Sequence, residues 1–352
     1  MTFILTANYP MLRDASHVST TSAPITVTAA PRIGRKGVAF RDGPISALAP
    51  NSSPPGLFSH RSSQMPGAGI PILSSIGDLA ETSDAWIVDV WGVMHNGAEA
   101  YAEACDACRK FRAAGGSVAM LSNAPRPFTA VMRQLDVLGV PREAYDLGVT
   151  SGDMTRALIV NMVSSGEARG VLHIGPERDK GLFEGLRIDF AAADTAEMVV
   201  CSGLFDDTKE TPADYAGLFA SLAARGVPMI CANPDIMVER GEALVYCAGA
   251  LAAAYAADGG KVSYAGKPDV AIYQRTLIDI AGLRGRPVGR QRVLTIGDGI
   301  DTDLKGAHAA NLRSVFIASG VHLPEGLSAA ALGELFAERP FAPVAALARL
   351  VW

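Results

Sequence analysis

The chain has 352 residues, 49% of them hydrophobic and 19% charged, with a net charge of -5 at neutral pH. Such a length suits roughly two domains, and such a composition suits a large buried core, so disorder throughout is excluded. The acidic balance excludes a general attraction to nucleic acid or anionic lipid. The alanine-rich apolar run Ala248 to Ala257 falls far short of the roughly 18 residues that a membrane span needs.

Five cysteines, at 105, 108, 201, 231 and 247, make an odd and scattered set. A disulfide framework wants a short secreted chain and an even count. Cys105 and Cys108 form a CxxC, but no second pair follows to complete a zinc site. Reduced cysteines in a cytoplasmic protein are expected.

The first 64 residues differ from the rest. They hold 7 Pro, 9 Ser and 6 Thr, and six basic residues against Asp14 and Asp42 make the segment +4 and the remainder -9. No period of 2 or 3.6 runs through it, and its apolar content cannot offset the entropy of ordering. Three readings stand beside one another: a flexible tail, a transit segment, and an upstream extension with translation starting at Met65. None assigns it chemistry, and residues 1–65 are set apart from the folded part.

From Met65 onward short β-branched runs alternate with amphipathic stretches. In chain order the strand candidates are Ala85–Val90, Ser117–Leu121, Gly170–Ile174, Glu197–Cys201, Pro228–Ala232, Gln291–Ile296 and Ser314–Ala318. Helical patterns cover Tyr101–Ala114, Pro127–Leu138, Gly152–Val163, Pro212–Arg225, Val270–Ala281 and Asp301–Ala310. Near-continuous apolar strands joined by helical crossovers predict an α/β protein with an open, doubly wound parallel sheet. In such sheets ligands sit outside the carboxyl ends of the strands.

Those ends carry short polar groups. Ile87-Val88 runs into Asp89, Met120-Leu121 into Ser122-Asn123, and Thr295-Ile296-Gly297 into Asp298, with Asp301 and Asp303 close behind. Gly266-Lys267-Pro268 opens a helix. Carboxylates such as Asp89 and Asp298 are the hard oxygen ligands that Mg²⁺ prefers, and Ser122, Asn123 and nearby N–H groups can hold phosphoryl oxygens. Lys267 offers a point charge among these anions, and a strand-end aspartate can serve as a nucleophile. A lone aspartate of this kind is usually a cap or a turn former. The combination, each part at a strand end or a helix start, carries the signal.

These motifs resemble the haloacid dehalogenase-like (HAD) superfamily, and within it the class IIA hydrolases, from about Ile72 to Trp352. Asp89-Val90-Trp91-Gly92-Val93 matches the first motif, normally DxDGV, and Ser122-Asn123, with Arg126 nearby, the second. Lys267 matches the third, and Gly297-Asp298-Gly299-Ile300-Asp301-Thr302-Asp303 the fourth. The resemblance implies a Rossmann-like core from 66–166 and 259–352, with a class II (C2) α/β cap inserted at about 167–258. Within that cap, Ala232-Asn233-Pro234-Asp235 looks like the NPD signature. It further implies Asp89 as nucleophile and Mg²⁺ ligand, with the Trp91 backbone carbonyl and Asp298 as further ligands. Asp303 would orient metal-bound water, with Asp301 a weaker candidate. Ser122, with Asn123 beside it, would hold the phosphoryl group, Lys267 would neutralise charge, and the cap segment from Asn233 to Glu242 would face the leaving group.

One position departs from the family pattern. The aspartate two residues after the nucleophile, the usual proton donor to the leaving group, is replaced by Trp91. General acid–base help is commonly worth about 10²–10⁴-fold in rate. The consequence is a good leaving group, a proton from elsewhere (His95 is nearest in sequence), or slow or lost turnover.

Other residues read as structural. His173 and His308 lack a carboxylate at ligand spacing, and Arg178-Asp179-Lys180 reads as a solvated turn. Asp206 and Asp207 suit substrate contact and the capping of the helix at Pro212 equally well. Met237, Val238 and Leu244 suit a β-hairpin. The expected activity is Mg²⁺-dependent hydrolysis of a small phosphorylated metabolite through a phosphorylated Asp89, with no nucleic-acid or membrane partner. The rival reading is a non-catalytic phosphometabolite sensor. Substrate, phosphoryl acceptor and oligomeric state are not legible.

Overall fold

The computed structural model describes residues 69–240, 243–318, 322, 323 and 326–352, except for the Glu239 side chain. The expectations for residues 1–65 lie outside the described residues.

The described strands, in chain order, are β1 (Ala85–Asp89), β2 (Ser117–Ser122), β3 (Leu147–Thr150), β4 (Gly170–Ile174), β5 (Asp189–Phe190), β6 (Met198–Cys201) and β7 (Met229–Cys231). They continue with β8 (Met237–Arg240), β9 (Ala243–Tyr246), β10 (Val262–Tyr264), β11 (Val293–Gly297), β12 (Arg313–Ile317) and β13 (Ala345–Leu347). One sheet has the order β13-β12-β11-β1-β2-β3, with every pairing parallel. Its central strands β1, β2 and β11 are buried at every residue, as their apolar runs demand with helices on both faces. Trp86 in β1 stacks on Phe111, with ring centroids 4.0 Å apart.

Helix boundaries follow local chemistry. Thr150 and Asp153 form a reciprocal cap that starts the helix Ser151–Ser165, which Gly166 ends in the left-handed region. Asp269 caps Val270–Arg284 through the Ala271 N–H. The expected helix at Asp301 begins instead as a π-helical turn, Ile300–Leu304, before the α-helix Lys305–Ala309.

A second sheet, of order β10-β7-β6-β4-β5, is also parallel throughout, and β8 and β9 form an antiparallel hairpin. Strand β10 pairs with β7, so this sheet runs past the boundary expected at 258. Nothing in the sequence marked it, because Val262–Tyr264 is short and half-solvated. Strands β3 and β13 were missed too, one holding Gly148 and the other mostly alanine. Such residues pair here because their neighbours bury them, not from intrinsic preference. The alanine-rich run Ala248–Ala257 is a helix whose Tyr255 packs edge-on against Phe219.

Candidate active site

Register brings the first groups together. Asp89 pairs with Leu121, and Val88 with Ile296, so Asp89, Ser122 and Asp298 emerge along one carboxyl edge of adjacent strands. The carboxylates of Asp89, Asp298 and Asp303 offer oxygens that all lie within 4.8 Å of one another. Lys267 Nζ donates to Asp89 Oδ1 at 2.5 Å and to Asp303 Oδ1 at 2.8 Å, and its side chain is 3% exposed. Gly92 stands at φ +84°, and a Cβ there would lie 2.3 Å from Asp298 Oδ2. Only glycine lets the loop after β1 close against that carboxylate.

Crowding sets the electrostatics. Burial, together with the charges of Asp89 and Asp303, holds the Asp298 carboxyl well above the usual range. Burial likewise raises Asp89, against the pull of Lys267, and it raises Asp303 with help from the charge on Asp89. Burial alone would pull Lys267 down, yet the carboxylates of Asp303 and Asp89 outweigh it and hold the ammonium charged. One lysine thus faces two buried carboxylates and the half-buried Asp298. A divalent cation with oxygen preference fits this set, because it would supply the positive charge that the cluster lacks.

The Asn123 side-chain amide, expected from the sequence to help hold a phosphoryl group, is engaged within the protein. Its Oδ1 accepts from the Lys267 N–H at 2.8 Å, and its Nδ2 donates to Asp235 Oδ1 at 2.8 Å and to the Lys267 carbonyl at 3.2 Å. Ser122 Oγ accepts from the Ala124 N–H at 3.2 Å. Asp303, rather than Asp301, joins the cluster, since Asp301 is turned to Arg339 at 2.7 Å.

The second sheet faces the same place. The loops after β4, β6 and β7 and the β8–β9 hairpin line one cleft of about 1230 Å³ together with Asp89, Ser122, Lys267 and Asp298. Asn233 and Asp235 lie on its wall, with Asn233 Oδ1 accepting from the Asp235 N–H at 3.1 Å. Gly266 admits no side chain, since a Cβ there would lie 2.0 Å from Ser151 Oγ and 2.6 Å from Asn123 Oδ1.

Comparison with known proteins shows the family. A family model described as haloacid dehalogenase-like hydrolase matches residues 86–189, and a HAD-hydrolase-like model matches 264–345. A solved haloacid dehalogenase-like hydrolase from Brucella suis is 42% identical, covers 79% of this chain and 99% of its own, and superposes with a TM-score of 0.71. The chain belongs to the haloacid dehalogenase-like hydrolases.

Within them it is a class IIA member, a Rossmann-like core with a cap. A 4-nitrophenylphosphatase from Thermotoga maritima shares the fold at 21% identity and a TM-score of 0.59, over 77% of this chain and 96% of its own. A dihydroxyacetone phosphatase from Corynebacterium glutamicum is 30% identical over 102 residues, which is 29% of this chain and 35% of that protein. The match thus spans about a third of that curated relative's length.

In this HAD hydrolase Trp91 is half-buried, lies against Gly97 and meets the His95 ring edge-on at 5.2 Å. His95 is 2% exposed, and its Nδ1 accepts from the Gly97 N–H at 2.9 Å. Burial lowers its pKa to about 4. It is therefore a neutral, loop-bracing ring, a poor proton donor at pH 7.

The cap side differs from the sequence reading in two respects. Asp179 is buried, not solvated, and lies 4.0 Å from Arg126 of the core. Asp207 caps no helix: Thr211 and Asp214 cap the turn at Pro212, while Asp207 binds Arg178 and Arg240. Arg240 lies in the segment 233–242 expected to face the leaving group, although no motif names the arginine itself. His173 has Ser202 Oγ 2.9 Å from its Nε2, and Met237, Val238 and Leu244 sit in the hairpin as expected.

Proposed function

We propose that this HAD hydrolase is a Mg²⁺-dependent phosphatase that cleaves a small phosphorylated metabolite through an aspartyl-phosphate on Asp89. The observation that carries the reading is the meeting of Asp89, Asp298 and Asp303 around Lys267 at one sheet edge. Asp89 Oδ attacks phosphorus, the ester P–O bond breaks, and the leaving oxygen departs with its electron pair. Water then hydrolyses the acyl phosphate and regenerates Asp89. Lys267 orients the nucleophile and balances charge, and Ser122 Oγ holds a phosphoryl oxygen. Asp89, Asp298 and the Trp91 carbonyl would hold Mg²⁺, with Asp303 beside them; the ion would supply charge neutralisation for the phosphoryl group. The cap carrying Asn233 and Asp235 keeps bulk water from the site. Unpaired, buried cysteines accord with a cytoplasmic setting. Among the described residues no helix is long and apolar enough to cross a membrane.

The test is phosphate release from phosphomonoesters and acetyl phosphate, with Mg²⁺ and with EDTA. Turnover that needs the metal and vanishes in Asp89→Asn supports the reading; turnover that survives this substitution overturns it. Trp91 favours one alternative, a sensor that binds phosphorylated ligands without turnover, and metal-dependent binding with no hydrolysis of any ester would select it.

A further inference from the structure

Asp207 draws together three cap segments that the sequence keeps apart. Its Oδ1 accepts from Arg240 Nη1 at 2.8 Å, and its Oδ2 accepts from Arg240 Nη2 at 2.7 Å and Arg178 Nη2 at 2.5 Å. Arg178 follows β4, Asp207 follows β6, and Arg240 ends β8. All three line the cleft that holds Asp89 and Lys267. The loops after β4 and β6 are carboxyl-end loops of parallel strands, where open α/β sheets receive ligands.

The charge count at this point is uneven. One carboxylate, with its side chain 10% exposed, serves two guanidiniums whose side chains are 54% and 47% exposed. Hydrogen bonding to Arg240 holds the Asp207 carboxyl down to about 2, so it is an anion at any working pH. Of the other described cap carboxylates in the cleft, Asp179 lies by Arg126 and also feels the charge of Arg178, and Asp235 accepts from Asn123. Among the described residues, Arg126, Arg178 and Arg240 outnumber Asp179 and Asp207 by one positive charge. Among the described residues, the guanidinium N–H groups not spent on Asp207 have no protein partner. A bridge needed only to hold the hairpin would be satisfied by the Arg240–Asp207 fork. The second arginine makes a prepositioned anion site, its side chains held by Asp207 before any ligand arrives.

We infer that Arg178 and Arg240, held by Asp207, receive a second anionic group on the substrate, so that the preferred substrates are phosphomonoesters whose leaving group bears a carboxylate or a further phosphate. The inference rests on the phosphatase reading and names the substrate class of that same cleft. The cleft is far larger than a phosphate, which leaves room for a leaving group between Lys267 and the arginine pair.

The test uses the full chain with Mg²⁺ and compares kcat/KM for 2-phosphoglycolate and 3-phosphoglycerate, for a sugar bisphosphate, and for glycerol 3-phosphate, whose leaving group is neutral. The wild type is expected to prefer an anion-bearing ester, and the better of the two kinds tells carboxylate from phosphate. Arg240→Met and Arg178→Met are expected to reduce that preference by roughly 10- to 100-fold, chiefly through KM. A merely structural role would lower all esters alike and leave the ratio intact, which would overturn the inference, as would a wild type without preference. Calorimetric binding of phosphonoacetate against methylphosphonate separates this from the fate of the phosphatase reading. An Arg240-dependent preference for phosphonoacetate in a protein that hydrolyses nothing keeps the anion site and discards the phosphatase. Hydrolysis of every ester with no preference does the reverse.

Discussion

Asn123 holds Lys267 by both ends of one peptide-like pairing: its Oδ1 takes the Lys267 N–H at 2.8 Å and its Nδ2 reaches the Lys267 carbonyl at 3.2 Å. The residues are 144 positions apart, and the same amide nitrogen also donates to Asp235 of the cap. The lysine that faces the carboxylates is thereby set in place by the loop after β2. Replacing Asn123 by Ala removes three hydrogen bonds around a buried backbone. Steady-state kinetics should show kcat reduced by about 10–10³-fold with KM changed much less, since misplacement by about 1 Å costs on the order of 10²-fold. Equal losses in stability and none in kcat would assign Asn123 a packing role only.

The carboxylate cluster predicts a metal response in stability. Mg²⁺ should raise the melting temperature of the wild type, with a stabilisation of about 2.7 kcal/mol at 100 times its dissociation constant. In Asp298→Asn the response should vanish, although the apo form need not be less stable, because a crowded anion has been removed. Differential scanning fluorimetry across a Mg²⁺ series measures both.

Gly92→Ala should act on the same ion. The added methyl would fall 2.3 Å from Asp298 Oδ2 at a backbone angle that side chains rarely adopt. We expect a loss of about 1–3 kcal/mol in stability together with a weakened Mg²⁺ response. An unchanged metal affinity would show that the loop relaxes without moving Asp298.

Trp91→Asp restores the missing proton donor. Its effect should depend on the leaving group: a gain of about 10–10³-fold for alkyl phosphates, within the usual worth of general acid catalysis, and little for 4-nitrophenyl phosphate or acetyl phosphate. The ratio of the two rates is the measurement, since a general loss from the vacated ring space cancels in it. No change in the ratio would mean that position 91 does not reach the leaving oxygen.

His173 ties stability to pH. Burial chiefly, with the positive Lys180 adding, lowers its pKa from 6.5 to about 4. The unfolded chain binds this proton first on acidification, so the stability due to a neutral His173 is complete above pH 6.5 and is lost as pH falls toward 4. Its size is about 2 kcal/mol at most once partial solvent exposure is allowed for. Urea midpoints from pH 7 to pH 4 should fall more steeply for the wild type than for His173→Gln, and parallel slopes would refute the assignment.

The amino-acid order by itself determined the central buried strands and the motif chemistry. Apolar runs such as Trp86–Val88 and Leu294–Ile296 must be buried strands, and a carboxylate at the end of each must then sit at a sheet edge, so Asp89 and Asp298 were legible as partners. Local signals are short-ranged, however. They could not tell that Asn123 spends its amide on Lys267, that His95 is pinned by Gly97, or that Asp207 gathers Arg178 and Arg240 from 29 and 33 positions away. They also left β10 unseen, because a half-solvated strand of three residues takes its state from its neighbours. Tertiary structure decided these points for one physical reason: a polar side chain takes whichever partner burial brings within hydrogen-bond reach, and that partner is set by the fold and not by the adjoining residues.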